Sequence, residues 1–426
     1  MILTSDEQTM LKGREGVAKQ KAMELLVKYG EALGAERMVN TNNVFGGVVA
    51  PIPFVRKFAA KVKDIDSIFS EFNLDSGNRV TIPQVKVFTC SFLNSLDPDH
   101  WQMMGANEST YKLQMRMEKF CRRIGINLTN TCAPYLVGNV PVKGEHCAWL
   151  ESSAVVYCNS VLGARTNTEG WESTGAAMLV GKIPYWGYHI DENRLGTHLV
   201  NVDINLNSVM DWNLLGYYIG ELVQEQVPVF KGVRSIPNLN ELKSFGAALA
   251  SSGGTEMYHI VGITPEAHNI NEAFGNKKPV TTLYFGKSER EKAYNNLNSA
   301  KDQNVDFVTL GCPHYSIEEV WEVCKLLKGK YVSTNTNLWI FMSRPIKALA
   351  DRNGYTEIIT NAGGYIMTDT CPVYSQLYPK GTKVVATDSA KQAHYTPAVM
   401  GFETWYGSLD DCIQAAISGE WRGELK

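Results

Sequence analysis

The sequence is poor in cysteine, has no excess of basic charge and holds no long apolar run, and each shortage removes a class of function. Nine cysteines in 426 residues are an odd and sparse set, unlike the dense pairs of a small secreted scaffold, so reduced thiols and a cytoplasmic location are expected. Forty-one Lys and Arg against 44 Asp and Glu give a net charge of -3, without the basic footprint of a nucleic-acid binder. The longest apolar stretches, in VDFVTLGCP and LWIFMS, are strand-sized and far from the roughly 18 residues of a membrane span. The opening MILTSDEQTMLKGREG lacks the basic start and apolar run of a signal peptide, so the sequon at Asn127 carries no meaning. No CxxC, P-loop or dinucleotide fingerprint occurs. SSGGTE at Ser251 and NAGGY at Asn361 read as turns.

What is present is enough chain for two or three cores. Residues 5–34 read as helical, with Ser5 as a cap and apolar residues at helical spacing before Gly34. Between about 37 and 170 the text is irregular, with short apolar runs such as VFGGVVAPI, VKVFTCSFL and AVVYCNSVLGA, and loops are expected to dominate. From about 240 strands alternate with helices: an amphipathic ELKSFGAALAS leads into YHIVGITPEA; VTTLYFG, VDFVTLG and LWIFMS read as strands and YIMTDTC as a strand-turn, with SEREKAYNNLNSAKDQ, SIEEVWEVCKLLKG and the stretch from Pro345 to Asn353 as helices. Ser316 and Glu319 stand at capping-box spacing. Such alternation predicts a parallel α/β construction. The ending reads as a capped helix with a short polar tail, and the chain is expected to be complete at both ends.

Three cysteines are set apart by context: NLTNTCAPY around Cys132, TLGCPHYS around Cys312 and MTDTCPVY around Cys371. Each is followed at once or one residue later by proline. Extended or turn backbone is favoured before proline, and from there thiols can converge on a shared ligand. Ordinary burial of small apolar side chains explains the pattern equally, and spacing alone leaves both readings open. Cys312 and Cys371 also follow apparent strands, where ligands bind in open parallel sheets. Helix-start amides lower a thiol's pKa, so both are expected as thiolates. Cys90, Cys121, Cys158, Cys324 and Cys412 read as packing.

The stretch from Asn127 to Asn193 concentrates hydroxyls, amides and charges, which are costly to bury without partners. Ser152, Ser153, Asn159, Ser160, Arg165 and Asn167 are candidates to hold a carboxylated small molecule, with Arg165 as a bidentate fork; a surface network with an Arg ion pair is the competing reading. Lys391 is a candidate positive charge for an anionic substrate, or else a solvated lysine. Glu145 and His146 are candidate acid–base groups. Cys147 beside His146 raises a cysteine hydrolase, although neighbours in sequence seldom form such a pair. A zinc hydrolase would combine cysteines with His146, His189 or His314, and spacing gives it no help.

The phrases NLTNTCAPYLVGNVP, GEHCAWLESSAVVYCNSVLGARTN, HIDENR, LGYYIGELV, VGITPEA, LGCPHYSIEE, DTCPVY and TDSAKQAHY together resemble the aconitase X family over nearly the whole chain. The resemblance implies the large, catalytic component of an iron–sulfur hydro-lyase of α/β class, a three-domain aconitase-like core around a central cluster. Two intertwined α/β domains are expected within residues 1–240, with the polar pocket. A C-terminal region, 241–426, is expected to carry Cys312 and Cys371. By resemblance the cluster ligands are Cys132, Cys312 and Cys371. No segment resembling the swivelling domain that closes the site in the family is read in the sequence, which implies a small partner subunit expected to bring the main base, a serine by analogy with aconitase. Activities in the family include dehydration of cis-3-hydroxy-L-proline and of mevalonate 5-phosphate, both small hydroxy acids; a catalytically silent cluster-binding subunit is the remaining alternative. The chain departs from the family pattern at Asn130, where a second cysteine is common, and at Thr168 and Trp171 in NTEGW, where NREGG is usual.

Overall fold

The computed structural model describes residues 1–47 and 81–426, and the end of the run VFGGVVAPI, beyond Gly47, lies outside the described residues. In the first half, β1 (Met38–Asn40), β2 (Asn43–Gly46), β3 (Phe88–Ser91), β4 (Cys147–Trp149) and β5 (Lys182–Pro184) form two small sheets. β1 and β5 pair antiparallel, while β3-β2-β4 are parallel. A second parallel sheet has the order β8-β7-β6-β9, from β6 (His198–Val202), β7 (Pro228–Lys231), β8 (His259–Ile260) and β9 (Thr281–Phe285). The third, β12-β11-β10-β13-β14, is built from β10 (Phe307–Leu310), β11 (Asn337–Met342), β12 (Tyr365–Thr368), β13 (Val384–Thr387) and β14 (Glu403–Tyr406). All four of its pairings are parallel.

Parallel strands are covered on both faces, so they read as continuous apolar runs. β10 is buried throughout and β11 at every position after Asn337. This explains why the alternating pattern after residue 240 was readable. The helix Ile317–Leu327 has the capping box expected from Ser316 and Glu319, and Arg344–Arg352 and Leu409–Ser418 also fall where expected. The four-stranded sheet takes β6 and β7 from before residue 240 and β8 and β9 from after it. The change of texture at 240 therefore falls inside one sheet, because texture follows the regularity of the flanking helices rather than the division between cores.

Two expectations need correction. The segment 5–34 is two helices, Ser5–Leu11 and Val17–Ala32, capped first by Thr4 rather than Ser5. Gly13 and Gly16 lie between them at φ 75° and 99°, a left-handed region that breaks a helix. The stretch 37–170 is less loop-dominated than its composition suggests, since it holds the helices Glu108–Arg123 and Ser152–Ser160. The first is rich in charge with a thin apolar face, and Asn107 caps it through Thr110 N–H at 2.9 Å. Ser153–Ser160 of the second are all buried, which removes the polar–apolar contrast that marks a surface helix. Among the described residues, no helix is long and apolar enough to cross a membrane.

Candidate active site

Carboxyl ends of strands from the first and third sheets supply the residues around the three proline-flanked cysteines. In the third sheet the connections run outward through β11 and β12 on one side of β10, and through β13 and β14 on the other. The ends of β10 and β13 therefore flank a topological switch point, the usual ligand crevice of an open parallel sheet. Cys312 follows β10, and Ser389 and Lys391 follow β13; the Ser389 hydroxyl donates to the Cys312 carbonyl across that crevice. Gly311 makes the turn at φ 99°, and a Cβ there would stand 2.2 Å from the Phe341 carbonyl oxygen, so only glycine fits. Cys371 follows β12 and caps the short helix Pro372–Ser375. From the first sheet, Ser91 at the end of β3 anchors the Cys132 loop through Asn130: Ser91 Oγ donates to Asn130 Oδ1 at 2.6 Å and accepts from its N–H at 3.1 Å.

The three thiols feel one another. Burial, then the Glu151 carboxylate and Cys312, push the Cys132 thiol up to about 12. Burial, then Cys312 and Cys132, hold the Cys371 thiol well above its ordinary value. Burial raises Cys312 to about 11, with Lys391 acting in the opposite sense. The expectation that Cys312 and Cys371 are ready-made thiolates is thus wrong for the protein without metal. Neither sulfur sits at the start of a substantial helix, since the Cys371 helix has four residues and the helix after Cys312 begins only at Ile317. Desolvation therefore dominates. Of the three, Cys312 alone is only partly buried.

Lys391 and Glu151 form a largely buried ion pair beside these thiols. Burial opposes the lysine's charge, but Glu151, reinforced by Cys312, outweighs it and raises the ammonium well above its ordinary value. Ser152 Oγ lies 3.5 Å from Lys391 Nζ, and Ser153 Oγ donates to Glu151 at 3.1 Å. Sequence reasoning missed Glu151. Its available signal was a single carboxylate between the apolar end of β4 and a helix start.

The other candidate side chains are not brought to this place. Asn159 and Ser160 lie seven residues further along the Ser152–Ser160 helix, about 10 Å at the usual rise. Asn159 binds Thr166 and the Glu256 carbonyl, and Ser160 accepts from Tyr258 N–H. Asn167 knits the main chain at Trp186 and Tyr188. Arg165 is held by Asp191 and the His189 carbonyl, which is the ion-pair alternative. Glu145 caps a turn at Val142. His146 faces His189, Nδ1 to Nδ1 at 2.9 Å, at the opposite end of β4 from Glu151. With its neighbour's imidazole engaged there and Cys147 itself fully buried, no cysteine–histidine hydrolase pair forms.

Around Asn130 and Trp171 the family departures are structural. Asn130 takes φ 41° and reaches Asp369 Oδ2 at 3.4 Å. Trp171 packs edge-on to Phe92, whose ring meets Tyr374 of the Cys371 helix edge-on, so the indole supports that helix from two rings away. Beside it lies Glu169, buried, with burial pushing its carboxyl up to about 7 from 4.5. The folded state then holds this proton more tightly than the unfolded one, so stability falls as pH rises from about 4.5 to about 7. Glu169→Gln is expected to raise Tm at pH 8, by roughly 1–3 kcal/mol of stability. The gain should vanish below about pH 4, under the unfolded value, and thermal unfolding across that range checks it; a pH-independent difference would contradict the assignment.

Among the described residues, no three His, Cys, Asp or Glu side chains are close enough to share a single metal ion. A cluster makes a different demand, because each thiolate binds a separate iron. Three thiols within electrostatic reach of one another, two buried and one partly so, with a lysine to offset thiolate charge and the His314 N–H donating to Cys132 Sγ at 3.2 Å, fit that demand. Sequence profiles of the aconitase X first, second and third domains match residues 1–192, 196–295 and 305–418. The chain belongs to the aconitase X family. Among its relatives is the phosphomevalonate dehydratase large subunit of Methanocaldococcus jannaschii, 37% identical over 97% of this chain and 100% of that one. The cis-3-hydroxy-L-proline dehydratase of Hypocrea jecorina is 32% identical over 98% of this chain but 69% of its own length. The holo-form crystal structure of aconitase X from Thermococcus kodakaraensis superposes with a TM-score of 0.81 at 34% identity, covering 98% of this chain and 100% of that one.

Proposed function

We propose that this aconitase X chain is the catalytic large subunit of a hydro-lyase that removes water from a small hydroxy acid, with Cys132, Cys312 and Cys371 holding an iron–sulfur cluster. Three thiols that act on one another electrostatically, beside the Glu151–Lys391 pair, with Cys312 and Lys391 following the strands that flank the β10–β13 switch point, carry the reading. Held by these three cysteines, a cluster would supply Lewis-acid chemistry for loss of the hydroxyl. The chain's own residues set the rest. Lys391, kept protonated by Glu151, places a fixed positive charge for the substrate's anionic group, and Ser152 adds a hydroxyl at the same edge. Burial of Cys132 and Cys371, with the partly buried Tyr374 packed beside them, limits water around the reacting carbon.

Proton abstraction is assigned to a small swivelling partner subunit. The relatives named phosphomevalonate dehydratase large subunit match along 95–100% of their length, whereas those named cis-3-hydroxy-L-proline dehydratase are matched over only 69–70% of theirs. That extra length is the place for a fused swivelling domain. A reducing compartment, the cytoplasm, suits nine cysteines that are all free. Mevalonate 5-phosphate is the first substrate to test, since the more similar relatives bear that activity in their names. The loaded two-subunit enzyme, followed by proton NMR, is expected to convert mevalonate 5-phosphate to its dehydrated acid and to leave cis-3-hydroxy-L-proline unchanged. Turnover of cis-3-hydroxy-L-proline alone would overturn the substrate assignment, and turnover of neither would overturn the hydroxy-acid reading.

A further inference from the structure

The three thiol-bearing segments are far apart in sequence, and something has to hold them in register. One residue touches all of them. His314 lies two residues after Cys312, is 1% exposed, and uses every polar group it has. Its ring Nε2 is 2.9 Å from the carbonyl oxygen of Thr370, next to Cys371. Because a carbonyl only accepts, Nε2 carries the proton and Nδ1 is the bare nitrogen. Nδ1 then accepts from the Thr131 hydroxyl at 3.0 Å, next to Cys132. The same hydroxyl accepts from Ala133 N–H at 3.1 Å, which folds the Cys132 turn around it. The main-chain N–H of His314 donates to Cys132 Sγ at 3.2 Å, and its carbonyl accepts from the buried Lys243 at 3.0 Å.

We propose that His314 is a positioning residue that sets the separation of Cys132, Cys312 and Cys371 before a cluster is present and fastens the cluster afterwards. The imidazole bridges the Thr131 and Thr370 segments from the Cys312 segment, so each ligand loop is tied to the other two through one rigid ring. Neither nitrogen is left to bind metal, which makes His314 a support for the ligands rather than a ligand. Groups that orient metal ligands from outside the coordination sphere typically change metal affinity by about 10–100-fold when removed. This inference rests on the cluster reading given above and adds the device that assembles the site.

His314→Phe keeps a ring in the space while removing both ring hydrogen bonds, His314→Gln restores a donor near the Nε2 position, and Thr131→Val removes only the Nδ1 partner. Iron release from the loaded protein to a chelator is expected to speed up by about 10–100-fold in His314→Phe, with His314→Gln and Thr131→Val intermediate. The electron paramagnetic resonance spectrum of the reduced cluster is expected to shift in the Phe variant. Cys324→Ala, a core change in the same domain, serves as a control for general destabilisation and should show neither effect. In the metal-free protein, mass spectrometry should find faster alkylation of Cys132 and Cys371 together in His314→Phe. The proposal is overturned if wild type holds a cluster and His314→Phe releases it no faster than Cys324→Ala with an unshifted spectrum. If wild type takes up no cluster, the cluster reading fails, and the alkylation rates alone decide whether His314 holds the loops: unchanged rates overturn that as well.

Discussion

Cys312→Ala is expected to leave anaerobically purified protein colourless and to lower both retained iron and dehydration rate by at least about 100-fold, a loss larger than that of an outer support. The sulfur stands at the β10 end of the switch point, follows a turn that only Gly311 can make, and is fixed through its own carbonyl by Ser389. No neighbouring thiol replaces it. Cys324 lies on the Ile317–Leu327 helix, is buried in the core behind β10 and β11, and directs its thiol to the Tyr355 carbonyl at 3.6 Å. Cys324→Ala should therefore cost about 1 kcal/mol of stability and leave colour and rate unchanged. Visible spectra and iron assays of the two variants side by side check the contrast, and a brown Cys312→Ala protein would remove Cys312 from the ligand set.

Without the proposed partner subunit, the loaded chain is expected to be coloured yet nearly inactive. The described acid–base groups give the reason. Glu151 is committed to Lys391 and Ser153, and Lys391 is held protonated, so neither is a free base. His146 is paired with His189 at the far end of β4, and both nitrogens of His314 are engaged. Removing a general base typically costs 10²–10⁴-fold, so turnover should rise by about that factor when the partner is added. Titrating the small subunit into the loaded chain while measuring initial rate tests this. Full activity of the chain alone would contradict the division of labour.

The fold was legible where packing leaves a simple trace. β10 and β11 are sandwiched between helices and read as apolar runs, and the Ser316 and Glu319 pair marked a helix start that the structure confirms. The Ser152–Ser160 helix was hidden because burial on all sides erases periodicity, and its hydroxyls were read as a loop pocket. That mistake spread to the site. Ser152 and Ser153 do lie beside Lys391, but Asn159, Ser160, Arg165 and Asn167 sit where the helix and the following turns are knitted to the main chain. Local pattern marks a polar cluster without saying which end of a helix it occupies. Glu151 and the clamp made by His314 depend on contacts between segments up to 240 residues apart, which no local spacing encodes. Thiol ionisation was misread for a related reason: a strand end was visible, whereas the depth of burial that raises Cys312 and Cys371 depends on the whole packed core.

On the reading proposed above, three thiols from separate loops hold one iron–sulfur cluster in a dehydratase site. Iron and acid-labile sulfide should be measured together on the anaerobically purified two-subunit protein, alongside its visible spectrum. The expected result is iron with sulfide, a broad absorption near about 400 nm, and loss of both in Cys132→Ala, Cys312→Ala and Cys371→Ala taken singly. Zinc without sulfide in the wild type, or iron and sulfide retained undiminished by all three variants, would contradict it.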